Sequence, residues 1–157
     1  MTVLTDEIAA FIAGPQGIMV ATRSPSLEPN ATRACGLVVA GADRIAVLLP
    51  RATAAQSIAN LEDNHAIAVV VSSPIDYRTV QLKGRSLGIR EASADDLLVG
   101  EQLLRDFGAA CERFGITRQR VRNLWLFDLW RAAAVEYYRR QLTQALELMG
   151  CTVPDRM

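Results

Sequence analysis

The stretch Arg44-Ile-Ala-Val-Leu-Leu-Pro50, followed directly by Arg51-Ala-Thr-Ala-Ala-Gln-Ser57, says most about how this chain folds. Apolar residues in the first part alternate as they do in a strand, and the second part opens a helical pattern that we expect over 54–61. A strand that turns at once into a short helix collects polar side chains at the helix start. These side chains are Arg51, Thr53, Gln56 and Ser57.

Two interpretations of this helix start are open. A helix N-terminus offers unpaired N–H groups and the positive end of the helix dipole, which suit a phosphate, and the guanidinium of Arg51 adds donors of the same sign. Thr53 and Gln56 also have the spacing of a capping box, in which both side chains only satisfy helix donors. In that case Arg51 is an ordinary solvated charge.

Composition limits the kind of protein. The chain has 157 residues, of which 50% are hydrophobic, and 17 basic residues balance 17 acidic ones. This is the size and balance of one globular domain over 1–157, without the net positive charge typical of nucleic-acid binding. No apolar run is long enough to span a bilayer, no signal peptide opens the chain, and the three cysteines are odd in number. We therefore expect a cytoplasmic protein that binds neither membrane nor nucleic acid.

The remaining pattern predicts a small β-barrel with peripheral helices. We expect strands over 18–23, 32–39, 44–49, 66–72 and 78–90, with the fourth buried on both faces. We expect further helices over 5–13, 93–113, 117–124 and 139–149. Gly84 in the last strand predicts a bulge or sharp bend. One apolar stripe is expected on the helix that Ser93 and Asp96 begin: Leu97, Leu104, Phe107, Cys111 and Phe114.

Several kinds of active site are excluded by what the sequence lacks. His65 is the only histidine, so there is no histidine metal cluster, and we expect no metal site. His65 also starts a strand, where an exposed or packed role is more typical than a catalytic one. Neither a G-x-G-x-x-G nor a Walker A motif is present, and no carboxylate pair stands out. An enzyme of this kind would rely on a cofactor for its reactive atom.

A second polar cluster lies in the fifth predicted strand. Thr79, Gln81 and Lys83 alternate along it and so share one face, where they could contact the polar edge of a heterocycle. The other interpretation is a polar stripe that simply faces solvent, as strands of antiparallel sheets often show.

Taken together, these segments resemble the flavin-binding split-barrel family of pyridoxamine 5′-phosphate oxidase. The resemblance covers roughly residues 8–90. Its motifs are the Gly-Pro-Gln-Gly turn, the Pro-x-x-x-Arg entry to strand two, Asn60-Leu-Glu-Asp-Asn64, and the Leu-Lys-Gly-Arg run ending at Arg85. It implies a mainly β (α+β) fold, a six-stranded antiparallel split β-barrel with peripheral helices, and an FMN site at the interface of a homodimer.

The resemblance also implies roles for particular residues. Arg33 takes the place of the family's phosphate-binding arginine on strand two. Gln56 and Ser57 occupy the positions of its usual Arg-Lys pair, so Arg51 and Thr53 would compensate for the missing charge. Thr79 falls where a glutamine lies near the flavin ring, and Gln81 follows on the same face.

The function implied is an FMN-dependent oxidoreductase acting on a small-molecule substrate or electron donor that the sequence does not name. The alternative is a non-catalytic binding or sensor protein for flavin, deazaflavin or haem. The family's substrate-binding histidine near the C-terminus is absent, so oxidation of pyridoxamine phosphate itself is not expected. The apolar stretch 124–130 is expected to lie partly in the homodimer interface.

Overall fold

The computed structural model describes residues 4–125, which combine helices with antiparallel sheets. The helices are α1 (Asp6–Ile12), α2 (Arg51–Asn64), α3 (Ala94–Glu112) and α4 (Arg118–Trp125). The strands are β1 (Gly17–Arg23), β2 (Pro29–Arg33), β3 (Gly36–Gly41), β4 (Arg44–Leu48), β5 (Ala66–Ser72) and β6 (Thr79–Arg85). The mixed α+β class is therefore as expected. The helix expected over 139–149, most of the stretch 124–130 and the rest of the predicted single domain lie outside the described residues.

The six strands form two antiparallel sheets. One has the order β2-β1-β5-β6, and β3 and β4 form the other. The single strand expected over 32–39 is wrong, because the chain leaves the first sheet after Arg33 and enters the second at Gly36. Ala34 and Cys35 make this crossing, and the N–H groups of these two residues bond to Ile18 and Leu48, one in each sheet. The two sheets are thus joined at the corner that Ala34 and Cys35 form.

The core lies on one face of the four-stranded sheet, between it and the β3–β4 hairpin. Alternate side chains of β1 and β5 point into it. Ile18, Val20, Val69 and Val71 are each at most 2% exposed. On β5 the neighbouring residues are only half-buried, so burial of both faces of this strand is not found within the described chain.

Three of the four described helices begin with a capping side chain, and at the start of α4 the hydroxyl of Thr117 accepts the N–H of Arg120 at 3.3 Å. Thr5 caps α1 by accepting the N–H of Ile8, and Ser93 with Asp96 forms a full capping box on α3. The capping box expected for α2 is wrong. The helix begins three residues earlier than expected, at Arg51, and its N-cap is Pro50, which has no side chain able to accept a bond.

Two further details of the pattern are corrected. Gly84 pairs regularly with Ile67 in the ladder of β5 and β6, so it forms no bulge, and β6 ends at Arg85. On α3 the apolar stripe is displaced, because Leu97 and Phe114 are 56% and 52% exposed whereas Leu103 is buried. In residues 4–125 no helix has the length and apolar character needed to cross a membrane.

Candidate functional site

The face of the four-stranded sheet that points away from the core, called the outer face below, carries three of the predicted site residues. Residues paired across antiparallel strands share a face, and the register places Arg33 opposite Met19, Met19 opposite Val70, and Val70 opposite Gln81. These four residues form one row across the sheet. Since adjacent strands are ~4.8 Å apart, the backbones of Arg33 and Gln81 are separated by roughly 14 Å.

Thr79 lies on the same face, one row further along β6. It pairs with Ser72, and the hydroxyl oxygens of the two residues are 2.9 Å apart. In the loop before Thr79, hydrogen bonds from Ser73 and from the N–H of Arg78 hold the pKa of Asp76 below its usual value. The carboxylate of Asp76 therefore stabilises the turn that leads into this polar strand.

Between the polar edges of the outer face, the side chains are small or apolar. The next row consists of Ala31, Ala21, Ala68 and Lys83, so its three alanines leave a flat floor. Met19 is 40% exposed on this face and extends the apolar surface beside the alanines. The outer face thus offers an apolar surface bordered by Arg33 on one side and by hydrogen-bonding side chains on the other.

The start of α2 lies next to Arg33 but on the opposite face of β2. The hydroxyl of Thr32 donates to the carbonyl of Thr53 at 3.4 Å, which fixes the first turn of the helix against the end of the strand. Thr32 and Arg33 are consecutive and point to opposite sides. β2 is an edge strand of the described sheet, so Arg33 and the helix start lie at the same edge, on its two faces.

No side chain caps α2, so the helix start keeps its attraction for an anion. The guanidinium of Arg51, however, is already engaged by the carboxylate of Glu91. Both side chains are strongly exposed, at 74% and 81%, so the pair is a weak one that an incoming anion can displace. Thr53 directs its hydroxyl to the carbonyl of Pro50.

Of the other two predicted residues of α2, Ser57 belongs to a polar layer beneath the helix, whereas Gln56 is exposed. Ser57 is fully buried, and its hydroxyl donates to the side-chain oxygen of Asn30 at 2.7 Å. Gln56 donates to Asn60, and Asn60 in turn donates to the hydroxyl of Thr22 at 3.0 Å. This layer attaches α2 to β1 and β2 through side chains that point inward from the sheet.

Sequence reasoning did not identify this polar layer, although a signal for it exists. Thr22, Asn30 and Thr32 occupy positions that alternation assigns to the inward face, where an apolar residue is the rule. Polar residues at such positions need partners, and a polar helix face is the simplest source of them. The polar residues at inward positions of β1 and β2 therefore indicate the side of the sheet on which α2 packs.

A cleft of about 180 Å³ lies elsewhere, between the end of α1 and the middle of α3. Ile12, Pro15, Leu37 and Leu103 contribute to its walls. It is smaller than the ~300–1,000 Å³ typical of ligand pockets, and none of the predicted site residues lines it. His65 is exposed and ends α2 in a left-handed conformation, with φ +61°, which gives it a structural role in the turn. No three His, Cys, Asp or Glu side chains of the described part are grouped as metal ligands would be.

Comparison with known proteins identifies the class of protein. The family model described as pyridoxamine 5′-phosphate oxidase matches residues 4–139. The chain therefore belongs to the pyridoxamine 5′-phosphate oxidase family, and the resemblance drawn from its motifs is confirmed. No curated protein matches it.

A solved structure is similar at a lower level. A HupZ variant from Group A Streptococcus has 18% sequence identity and a TM-score of 0.48. The similarity covers 73% of this chain and 88% of the other.

Proposed function

We propose that this protein is a homodimeric, FMN-dependent oxidoreductase of the cytoplasm, with the six strands arranged as a split barrel. The observation that carries the proposal is the row from Arg33 to Gln81 on the outer face. It joins an arginine, an apolar floor and an amide in one line, and these are the groups that a ligand with a phosphate, a flat ring and polar ring atoms requires.

The residues present fit such a ligand in part. Arg33 and the uncapped start of α2 would hold the phosphate at the edge of β2, with Arg51 joining once it leaves Glu91. Met19 and Val70 would support the ring, while Gln81 and Thr79 hydrogen-bond its polar edge. Ser57 does not fit a ligand role, since its buried hydroxyl is already bonded within the polar layer. When bound, FMN supplies the electron transfer that the side chains of this chain do not.

Phosphate recognition is tested by comparing FMN with riboflavin. A charge-assisted hydrogen bond is worth ~1.5–3 kcal/mol, so riboflavin should bind at least about tenfold more weakly than FMN. Arg33→Met should reduce this ratio toward one. Arg44→Met is the matched control, because Arg44 is an exposed arginine on the other sheet, paired with Asp43. Equal affinities of the parent protein for the two ligands would refute the phosphate site.

Turnover separates an enzyme from a ligand-holding or sensor protein, which remains the second candidate for flavin, deazaflavin or haem. The absorbance spectrum of freshly purified protein identifies which of these ligands is bound. Flavin-loaded protein should then be reduced by NADH or NADPH, and reoxidised by an acceptor, faster than free FMN. Reduction no faster than that of free FMN across a panel of donors would favour the binding protein.

The homodimer is tested by light scattering at micromolar concentration. The apolar stretch 124–130, which lies almost wholly beyond the described residues, is proposed to contribute to the interface, since large apolar patches commonly mark such surfaces. A mass of twice the 17.1 kDa chain is expected. A monomer mass under these conditions would contradict the assembly.

A further inference from the structure

Three basic side chains lie together at one corner of the outer face. Arg23 ends β1, and Lys83 and Arg85 alternate along β6. We call these three residues the basic corner. The register brings them onto one face. Lys83 lies opposite Ala68, and Arg85 lies opposite Ala66. The strand β1, which carries Arg23, pairs with the other edge of β5. All three residues are exposed.

The floor between these charges is made of alanine. Ala66 and Ala68 on β5 lie between Arg23 on β1 and the two basic residues of β6, and Ala21 extends this floor along β1. Two strand spacings separate β1 from β6, which is roughly 10 Å. Since an alanine side chain ends at Cβ, a planar group can lie against the sheet here with cationic groups at both of its sides.

The charges of the basic corner are not neutralised within the described protein. Arg23 and Arg85 donate only to main-chain carbonyls, those of Ser24 and Asn64, each at 3.4 Å. The ammonium group of Lys83 has no hydrogen bond or ion pair among the described residues. None of the outward residues of the four strands is acidic.

This pattern differs from the rest of the described chain, where basic side chains are commonly paired with a carboxylate. Six arginines show it: Arg44, Arg51, Arg78, Arg90, Arg105 and Arg118. Three cations without a carboxylate partner, gathered on one apolar floor, concentrate positive potential there. Such a field attracts one compact anion, because three charges are too few to follow a long polyanion.

We propose that the basic corner is a second anion-binding site, which takes the carboxylate or phosphate of a small planar molecule. It is distinct from the edge formed by Arg33 and α2, since Lys83 and Arg85 lie on the opposite edge strand of the sheet. Its role as the site for an acidic substrate rests on the proposed flavin function. Its ability to bind an anion does not.

Lys83 provides a direct test, because it is the only lysine of the chain. Acetic anhydride acetylates Lys83 and the N-terminal amine, and mass spectrometry follows both reactions in one sample. Phenyl phosphate and benzoate serve as planar anions, and benzyl alcohol as the neutral control. At about four times its dissociation constant, a bound ligand that covers Lys83 slows acetylation about fivefold by mass action. The reaction of the N-terminal amine is expected to stay unchanged.

Variants identify the groups responsible. The double change Arg23→Met and Arg85→Met should abolish protection of Lys83 while leaving the circular dichroism spectrum intact. Arg105→Met is the control, since Arg105 lies on α3 beside Glu101, and it should retain protection. Absence of protection by both anions, or equal protection by benzyl alcohol, would overturn the proposal.

The experiment is run on flavin-free and on FMN-loaded protein, so that the two proposals fail separately. Protection in flavin-free protein that binds no FMN would keep the anion site and remove only its link to flavin chemistry. Slow acetylation of Lys83 with FMN alone, and no further slowing by phenyl phosphate or benzoate, would show that the flavin itself occupies the basic corner, and this result would overturn a separate site.

Discussion

Ser57→Ala tests whether the helix α2 is held by its polar layer or serves a ligand at this position. The Ser57 side chain has no exposed surface, and its hydroxyl lies 2.7 Å from the Asn30 side-chain oxygen. Removing the hydroxyl leaves that oxygen without its donor, which generally costs ~1–3 kcal/mol at a buried site. Asn30 is half-buried, and partial access of water favours the lower part of that range, about 1–2 kcal/mol.

The assay is urea unfolding of ligand-free protein, followed by far-UV circular dichroism. For a chain of this length the expected loss corresponds to a fall in melting temperature of about 3–6 °C. Asn30→Ala and the double variant complete a mutant cycle, in which a coupling energy of ~1 kcal/mol is expected for a direct contact. Ser26→Ala, an exposed serine of the β1–β2 loop, should change stability by less than about 0.5 kcal/mol.

The same variants are titrated with FMN and riboflavin. If Ser57 only supports the helix, the ratio of the two affinities stays that of the parent protein. The reasoning would be refuted by a Ser57→Ala variant with parental stability whose preference for FMN falls tenfold. That result would make Ser57 a phosphate ligand and the bond to Asn30 incidental.

Three further outcomes are expected. Arg51→Ala should lower FMN occupancy but change the unfolding free energy of ligand-free protein by no more than about 1 kcal/mol, because its pair with Glu91 is exposed. Unchanged occupancy, or a loss of unfolding free energy well above about 1 kcal/mol, would contradict this. Thr53→Ala should stay within about 0.5 kcal/mol of the parent in urea unfolding, since Thr53 is not the helix cap; a loss near the ~1 kcal/mol of a true cap would restore the capping box. Hydrogen bonds from Arg90, and from the N-cap of α3, hold the pKa of Asp96 well below its ordinary value of 3.8, so this carboxylate stabilises the fold above that pH and the contribution is lost as the pH falls below it. Urea midpoints measured from pH 6 to 2.5 should therefore fall less steeply for Asp96→Asn than for the parent.

Local sequence was sufficient wherever neighbouring residues decide the structure. The strand 66–72 was predicted with its observed bounds. Ser93 with Asp96 gave the start of α3, because the capping box is complete within four consecutive residues. The family motifs were likewise local, and the match over 4–139 confirms them.

The sequence alone could not decide where α2 starts or how the site residues are grouped. Thr53 and Gln56 have the spacing of a capping box, yet the strand before them ends early and the helix starts at Arg51, with Thr53 held against Thr32 on β2. Helix propensity does not record such a contact, since the two threonines are far apart in the chain.

What the sequence determined by itself is therefore most of the described elements, their approximate order and the family. The tertiary structure decided which side of the sheet each polar residue occupies. It sent Ser57 into a buried layer and left Arg33, Gln81 and Lys83 together on the outer face. The physical reason is that periodicity places a side chain on one of two faces, whereas only the pairing register and the packing of α2 determine which face is covered and which remains open to a ligand.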